Sequence, residues 1–437
     1  MSVKRTLPHR FGTRAYGNGD IIHAPFVRAG KWVFGTGLRA IRPDGLLDRA
    51  VLDASRLAAP PKAQREAAAI FASIGNSLGA AGSAMTHVAR LDQYYPDPRS
   101  VDPYHVARKQ ALSGQVAPST SVIVSRLLNL DASMDVQVLA ATLDSGYAVQ
   151  RAAPTKTGGD GLSVPSSSGY APWVRVGDMI FIAGQLARDG SGNLAPEAQV
   201  PPGQLWNGTR IKLETDYLVQ KRLLPALTAA GSALDCVLKA QVYLSHADDL
   251  PAFWQTWSQA FAGRVPPTTV VPVRHPAFGT SAASIEVNLV AAHASAGARI
   301  RDIDCAVELI AGDMLPARSF DGILFVAGLM GIENGSVTSA ALAPTSAPFF
   351  HDAAGAQMSD ALAKARIIFS AAGSDLSQLT RVLHFHSDLA DFRSCYMAWD
   401  AELRGAGLPF SAIEVGRDLF APGAKVILDL WGHVPDA

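Results

Sequence analysis

The chain has 437 residues, 48% hydrophobic and 17% charged, with Lys plus Arg and Asp plus Glu equal at 38 each. That length fits about three domains, and the balanced charge without a basic run excludes a phosphate-backbone partner, so no nucleic acid is expected. No apolar run reaches the ~18 residues that span a bilayer, and the polar start lacks the apolar segment of a signal peptide, so no membrane partner is expected either.

In chain order, a polar lead over residues 1–22 precedes a predicted strand at Phe26–Gly35. Ile70, Ile74 and Leu78 recur at helical spacing and mark one buried stripe, which Gly82 stops because glycine takes the left-handed cap conformation without a clash. A strand at His87–Tyr95, a helix near Tyr104–Leu112 and strands at Ser121–Ser125 and Met134–Ala141 complete the unit. Residues 151–169, rich in Gly, Pro and Ser, form a seam.

The order then repeats. Strand Met179–Ala183 leads to a helix with Val219, Leu223 and Leu227 in register, strand Val237–Leu244, a helix carrying Phe253, Trp257 and Phe261 as core residues, and strands Thr268–Val273 and Ser284–Ala291. After a second seam near His293–Arg299 come strand Ile323–Ala327, a helix with Ala361, Ala365 and Phe369, and strand Leu379–Phe385. A helix with Phe392, Tyr396, Trp399 and Leu403 and strands Ala412–Val415 and Lys425–Trp431 close the chain.

Two markers keep this period. A turn, a short apolar strand, a small residue and a glycine recur at Gly37, Gly184 and Gly328, and Ala-Ala-Gly-Ser recurs around Gly82, Gly231 and Gly373 in step with them. The boundaries are 1–148, 149–296 and 297–437. Within each module the pattern predicts an α+β unit, a mixed sheet with two helices on one face. The other sheet face is apolar as well and needs a cover, for which the sheet of the next module is the natural choice.

Val176-Gly-Asp-Met-Ile-Phe-Ile-Ala-Gly-Gln, Val237-Leu-Lys-Ala-Gln-Val-Tyr-Leu, Ser284-Ile-Glu-Val-Asn-Leu-Val-Ala and Leu379-Thr-Arg-Val-Leu-His-Phe-His together resemble the RidA family, also called YjgF-like or L-PSP. The resemblance implies three RidA-like repeats of the chorismate mutase-like fold, packed as an intramolecular pseudo-trimer with ligand clefts between modules. It also implies a hydrolase diverged from enamine and imine deaminases, with chorismatase-like chemistry or ligand binding without turnover as alternatives.

Carried over residue by residue, the family's carboxylate-binding arginine falls on Ser119 or Thr120, Thr268 or Thr269, and Phe410 or Ser411, so no module keeps it. The family glutamate falls on Gln137, Asn288 and Asp429, and only Asp429 can ionise. The tyrosine, seven residues before the glycine of the turn that opens each copy, falls on His23, Tyr170 and Leu315. The family's small residue and glycine at the cleft wall fall on Thr36 and Gly37, Ala183 and Gly184, and Ala327 and Gly328.

These positions set the expected site. Asp429 is the leading catalytic candidate, with Glu414 and Arg417 on and after the preceding strand. Tyr170, Gly184, His23, Gly37, Glu286 and Asn288 are expected to bind substrate, together with the Arg274-His275 pair. Because residues two apart share a strand face, Glu286 and Asp135 could act from one step along the strand. His384 and His386 share a face but lack a third ligand at a recognisable spacing, so no metal site is expected. Cys236, Cys305 and Cys395 have no metal-ligand spacing and are odd in number, which fits a reducing cytoplasm. No cofactor motif is present, and the expected partner is a small-molecule substrate. The assembly is expected to be a monomeric pseudo-trimer or a homodimer of it.

Overall fold

The computed structural model describes all residues except 1–6, 17–18, 43, 53–56, 156–160, 166, 206–207, 347–348, 350, 417–418 and 436–437. Two-residue turns organise it. Gly30, at a φ of 54°, turns Phe26–Ala29 back along Trp32–Leu38, so the single strand expected at Phe26–Gly35 is a hairpin. Gly177 does the same between Trp173–Val176 and Met179–Leu186, and Asp321-Gly322 between Ala317–Phe320 and Ile323–Val326.

Each hairpin enters a larger sheet of constant order. Sheet I runs His9–Phe11, Phe26–Ala29, Trp32–Leu38, Asp135–Thr142, Ser83–Tyr95, Ser119–Ile123. Sheet II runs Val149–Arg151, Trp173–Val176, Met179–Leu186, Ile285–Ala292, Val237–Leu244, Thr268–Pro272. Sheet III runs Arg301–Ile303, Ala317–Phe320, Ile323–Val326, Val426–His433, Leu379–His386, Phe410–Glu414 and ends on a guest strand, Arg126–Leu127, from the first third of the chain. In each sheet only the last pair of the shared order is parallel, as a strand-helix-strand crossover requires.

The helices cover one face of each sheet. Lys62–Ala80 buries Ile70, Ile74 and Leu78 as its spacing predicts, and Val101–Ala111 packs beside it. In the second unit Val219, Leu223 and Leu227 are buried, but Leu218–Leu223 is a π segment ending two residues before Pro225, whose ring nitrogen has no hydrogen to give the preceding turn. Phe253 and Trp257 of Leu250–Ala260 are fully buried, each stabilising the unit by about 1.5–3 kcal/mol. Ala353–Ala371 and Phe392–Leu403 cover sheet III. Ser83, Ser232 and Ser374, just past the helix ends, donate to the carbonyls of Ala141, Ala292 and His433, tying each helix end to the closing strand of its sheet.

The uncovered faces meet one another. Tyr94, Val122, Tyr243, Val271, Leu383, Phe385 and Ile427 form one apolar cluster drawn from all three sheets. Trp32, Phe34, Phe181, Val290, Phe325 and Trp431 form a second. Three parallel bridges join the units in the same way: Val116 with Tyr170, Val265 with Met314, and Leu408 with His23. They define junctions I/II, II/III and III/I. The II/III bridge falls on Met314 where the sequence pattern pointed to Leu315, because Gly322 fills the second turn position and Gly30 and Gly177 fill the first. No helix among the described residues is long and apolar enough to cross a membrane.

Candidate active site

Between the two shared clusters lies a buried polar layer, because the inward positions of the long strands alternate from apolar to charged and back. On Ser83–Tyr95 those positions are Arg90, Asp92 and Tyr94; on Leu379–His386 they are Arg381, Leu383 and Phe385. Arg90 donates to Asp92 at 2.8 Å and to Asn288 of sheet II at 2.6 Å. Each junction draws on this layer differently.

At II/III, Asp429, the leading candidate from the sequence, is fully buried. One carboxylate oxygen accepts from Thr269 at 2.8 Å and pairs with Lys239 at 2.7 Å; the other accepts from Arg381 at 2.6 Å. Lys239 also donates to the Val326 carbonyl, and Arg381 stacks over the Trp431 ring at 4.7 Å. Burial alone would raise the Asp429 pKa, but Lys239 and Arg381 outweigh it and hold the group at about 2. Both oxygens are engaged by partners that are themselves buried.

At I/II, Glu286 lies two residues before Asn288, whose amide donates to Thr120 at 2.8 Å. Glu286 makes no side-chain hydrogen bond among the described residues, and burial pushes it up to about 8, opposed by Arg188 and assisted by Asp92. A Cβ on Gly184 would overlap the Glu286 carboxyl, so glycine is what admits the acid. Arg188 donates to the Ser163 carbonyl at 3.1 Å and approaches the Tyr170 hydroxyl at 3.4 Å.

At III/I, the Gly37 amide donates to Gln137 at 3.2 Å and Gln137 donates to one Asp135 oxygen at 2.7 Å. The other Asp135 oxygen is 3.6 Å from Arg39 Nε, and none of the three buried Arg39 nitrogens has a hydrogen-bond acceptor among the described residues. Burial raises Asp135 to about 6, with Arg39 pulling it back. His23 hydrogen-bonds the Thr36 carbonyl at 3.0 Å and packs on Phe410; burial, then Arg39, lower it to about 3, so it is neutral. A cavity of about 20 Å³, enough for a water or a ligand oxygen, is lined by Arg39, His23 and Gly37.

The structure therefore separates residues that the sequence pattern grouped. Asp429 and Glu414 do not share a site: Asp429 pairs across its sheet with Leu383 and Glu414 with His386, about 10 Å further along. Glu414 accepts from the Leu389 amide at 3.1 Å and approaches Arg126 at 3.6 Å. Arg417 lies outside the described residues. Arg274 and Glu414 line a different cavity, and His275 stacks on His246 with ring centres 6.0 Å apart. His384 accepts from Trp399 Nε1 at 2.9 Å within the helix-covered core. Arg39, Asp92 and Lys239 were absent from the expected site. Arg39 carries a usable signal, an arginine two residues after the strand glycine, just past the end of a strand with no charge of its own.

Residues 162–293 match the family described as Endoribonuclease L-PSP. The chain is 27% identical over 124 residues to Protein mmf2, mitochondrial, of Schizosaccharomyces pombe, covering 28% of this chain and 86% of that protein. Among solved structures, a YjgF/YER057c/UK114 family member from Mycobacterium tuberculosis is 22% identical, with 28% of this chain and 86% of that one covered and a TM-score of 0.22. A chorismatase is 11% identical, with 79% and 93% covered and a TM-score of 0.46.

Proposed function

We propose that this chain, whose residues 162–293 belong to the RidA (YjgF, L-PSP) family, is a pseudo-trimer of RidA-like modules, 1–148, 149–296 and 297–437. In this reading it is a hydrolase of small molecules, acting at a carbon–nitrogen bond in junction III/I. The observation that carries it is Arg39, a buried guanidinium without a hydrogen-bond acceptor among the described residues, beside Asp135 and a small cavity. A buried charged donor left unmatched costs several kcal/mol, and one oxygen of a substrate carboxylate entering the cavity would answer it as a charge-assisted acceptor.

The chemistry follows from the neighbours. At neutral pH Asp135, at about 6, is mostly ionised and takes a proton from a water that attacks an imine carbon. The same carboxyl returns the proton to the departing nitrogen, giving a carbonyl compound and ammonia or an amine. Gln137 fixes the carboxyl, neutral His23 fixes the Thr36 carbonyl, and Gly37 keeps the wall thin. Hydrolysis through a carboxylate needs no cofactor.

A second reading rests on Glu286. A carboxyl at about 8 keeps its proton at neutral pH and can protonate a leaving oxygen, as cleavage of an enol ether by a chorismatase-like reaction requires.

The test is ammonia release and mass spectrometry on 2-imino acids generated in situ, and on chorismate, with Asp135→Asn, Arg39→Gln, Glu286→Gln and Asp429→Asn in parallel. Imino-acid turnover lost in the first two and kept in the last supports III/I. Chorismate turnover lost only in Glu286→Gln would move the site to I/II. Thermal stabilisation by these compounds without product would make the protein a binder.

A further inference from the structure

A second cavity, of about 1000 Å³, lies at the far ends of the parallel strands and is walled by residues from all three sheets and their flanking loops. It is separate from the junctions. Thr120, Thr269 and Ser411 lie at the starts of the edge strands, whereas the cavity is lined by Ser125, Arg274 and Glu414, past or at their ends.

Its walls are not equivalent. At the strand ends the three units present Ser125, Arg274 and Val415-Gly416. The stem of Arg274 packs beside the Gly416 backbone, its Cγ 3.5 Å from where a Cβ would stand. Arg274 forms no hydrogen bond or ion pair among the described residues. Ser245, 5% exposed, also lines the cavity and its hydroxyl has no hydrogen-bond partner among the described residues. Glu414 is already engaged by Arg126 and the Leu389 amide. Leu419 and Phe420 supply an apolar side.

We infer that this cavity is a binding site for a small monocarboxylate that also carries a hydroxyl or amino group. The carboxylate lies on Arg274, whose planar fork matches it. Ser245 meets one carboxylate oxygen. The second polar group is turned toward Asp248, which lines the same cavity. Asp248 also sets the selectivity: beside one unpaired arginine, a carboxylate repels a doubly charged anion such as phosphate. The volume lies at the upper end of the range for ligand pockets. The inference is independent of the chemistry at the junctions.

Calorimetric and thermal-shift titration of the full chain with L-serine, lactate and inorganic phosphate tests it. Saturable binding of L-serine or lactate tighter than about 1 mM, with phosphate weaker, is expected. Arg274→Gln should weaken it at least about tenfold, Arg274→Lys less, and Ser245→Ala by a smaller factor. Asp135→Asn should leave it unchanged. Arg274 is exposed, and circular dichroism melts serve to check that its variants fold. Equal binding by Arg274→Gln, stronger binding of phosphate, loss of binding in Asp135→Asn, or no saturable binding of any probe would each overturn the assignment.

Discussion

Asp135 and Glu286 hold the same place in neighbouring sheets: each lies opposite a tyrosine on the adjacent strand, Tyr94 and Tyr243, and those two hydroxyls meet at 2.8 Å. Each acid precedes by two residues a buried amide, Gln137 or Asn288, and each faces an arginine, Arg39 or Arg188. The third junction has Ile427 there and its acid at Asp429. Asp135→Asn is expected to lower imino-acid turnover about 10²–10⁴-fold, the usual worth of a general base, while Asp429→Asn, measured at 25 °C on folded protein, changes it little. Steady-state ammonia release checks both.

Asp429 is a matter of stability. Its folded pKa of about 2 lies below the ordinary 3.8, so its contribution is present above pH 4 and is lost as pH falls toward 2. Asp429→Asn leaves Lys239 and Arg381 buried with a neutral partner and should cost about 3–5 kcal/mol at pH 7, with the deficit shrinking in acid. Denaturant melts at pH 7 and pH 3 measure it. The pair Lys239→Met with Asp429→Leu should regain much of the loss.

Glu286 has the opposite sign. Its folded pKa of about 8 is above the ordinary 4.5, so its contribution is fully present below pH 4.5, declines as pH rises and is gone above about 8. Glu286→Gln removes this dependence. Relative to that variant, the wild type should lose a few kcal/mol between pH 4.5 and pH 9, read from urea midpoints at each pH.

Arg39 lowers the Asp135 pKa, so Arg39→Met should raise it above about 6. The acid limb of the pH–rate profile would then move upward while substrate affinity falls. A profile unmoved in Arg39→Met would mean that Asp135 is not the titrating base.

Much of this was legible in the sequence because it depends on local periodicity. Ile70, Ile74 and Leu78 could be read as a buried stripe without any partner in view, and Gly37, Gly184 and Gly328 marked the recurring strand. The displaced acids could also be read, since Asp135 and Glu286 share a strand face with Gln137 and Asn288. What stayed hidden depends on pairings between distant segments. Arg381 meets Asp92 at 3.8 Å from a different sheet, and Lys239 reaches Asp429 across junction II/III. No spacing within one module distinguishes an acid held between two cations from an acid left available, so Asp429 and Glu286 looked alike until their surroundings were known.

The guest strand Arg126–Leu127 has a practical consequence. It lies along the outer edge of sheet III, pairing Leu127 with Ile413 and Arg126 with Glu414, and the neighbouring Ser125 amide donates to the Glu414 carbonyl at 2.8 Å. A chain cut to begin at residue 149 would bare that margin, and an uncovered margin invites another chain to dock on it. Fragments from the middle and end of this protein would thus stick to themselves for want of two residues whose place in the sequence gives no hint of where they are needed.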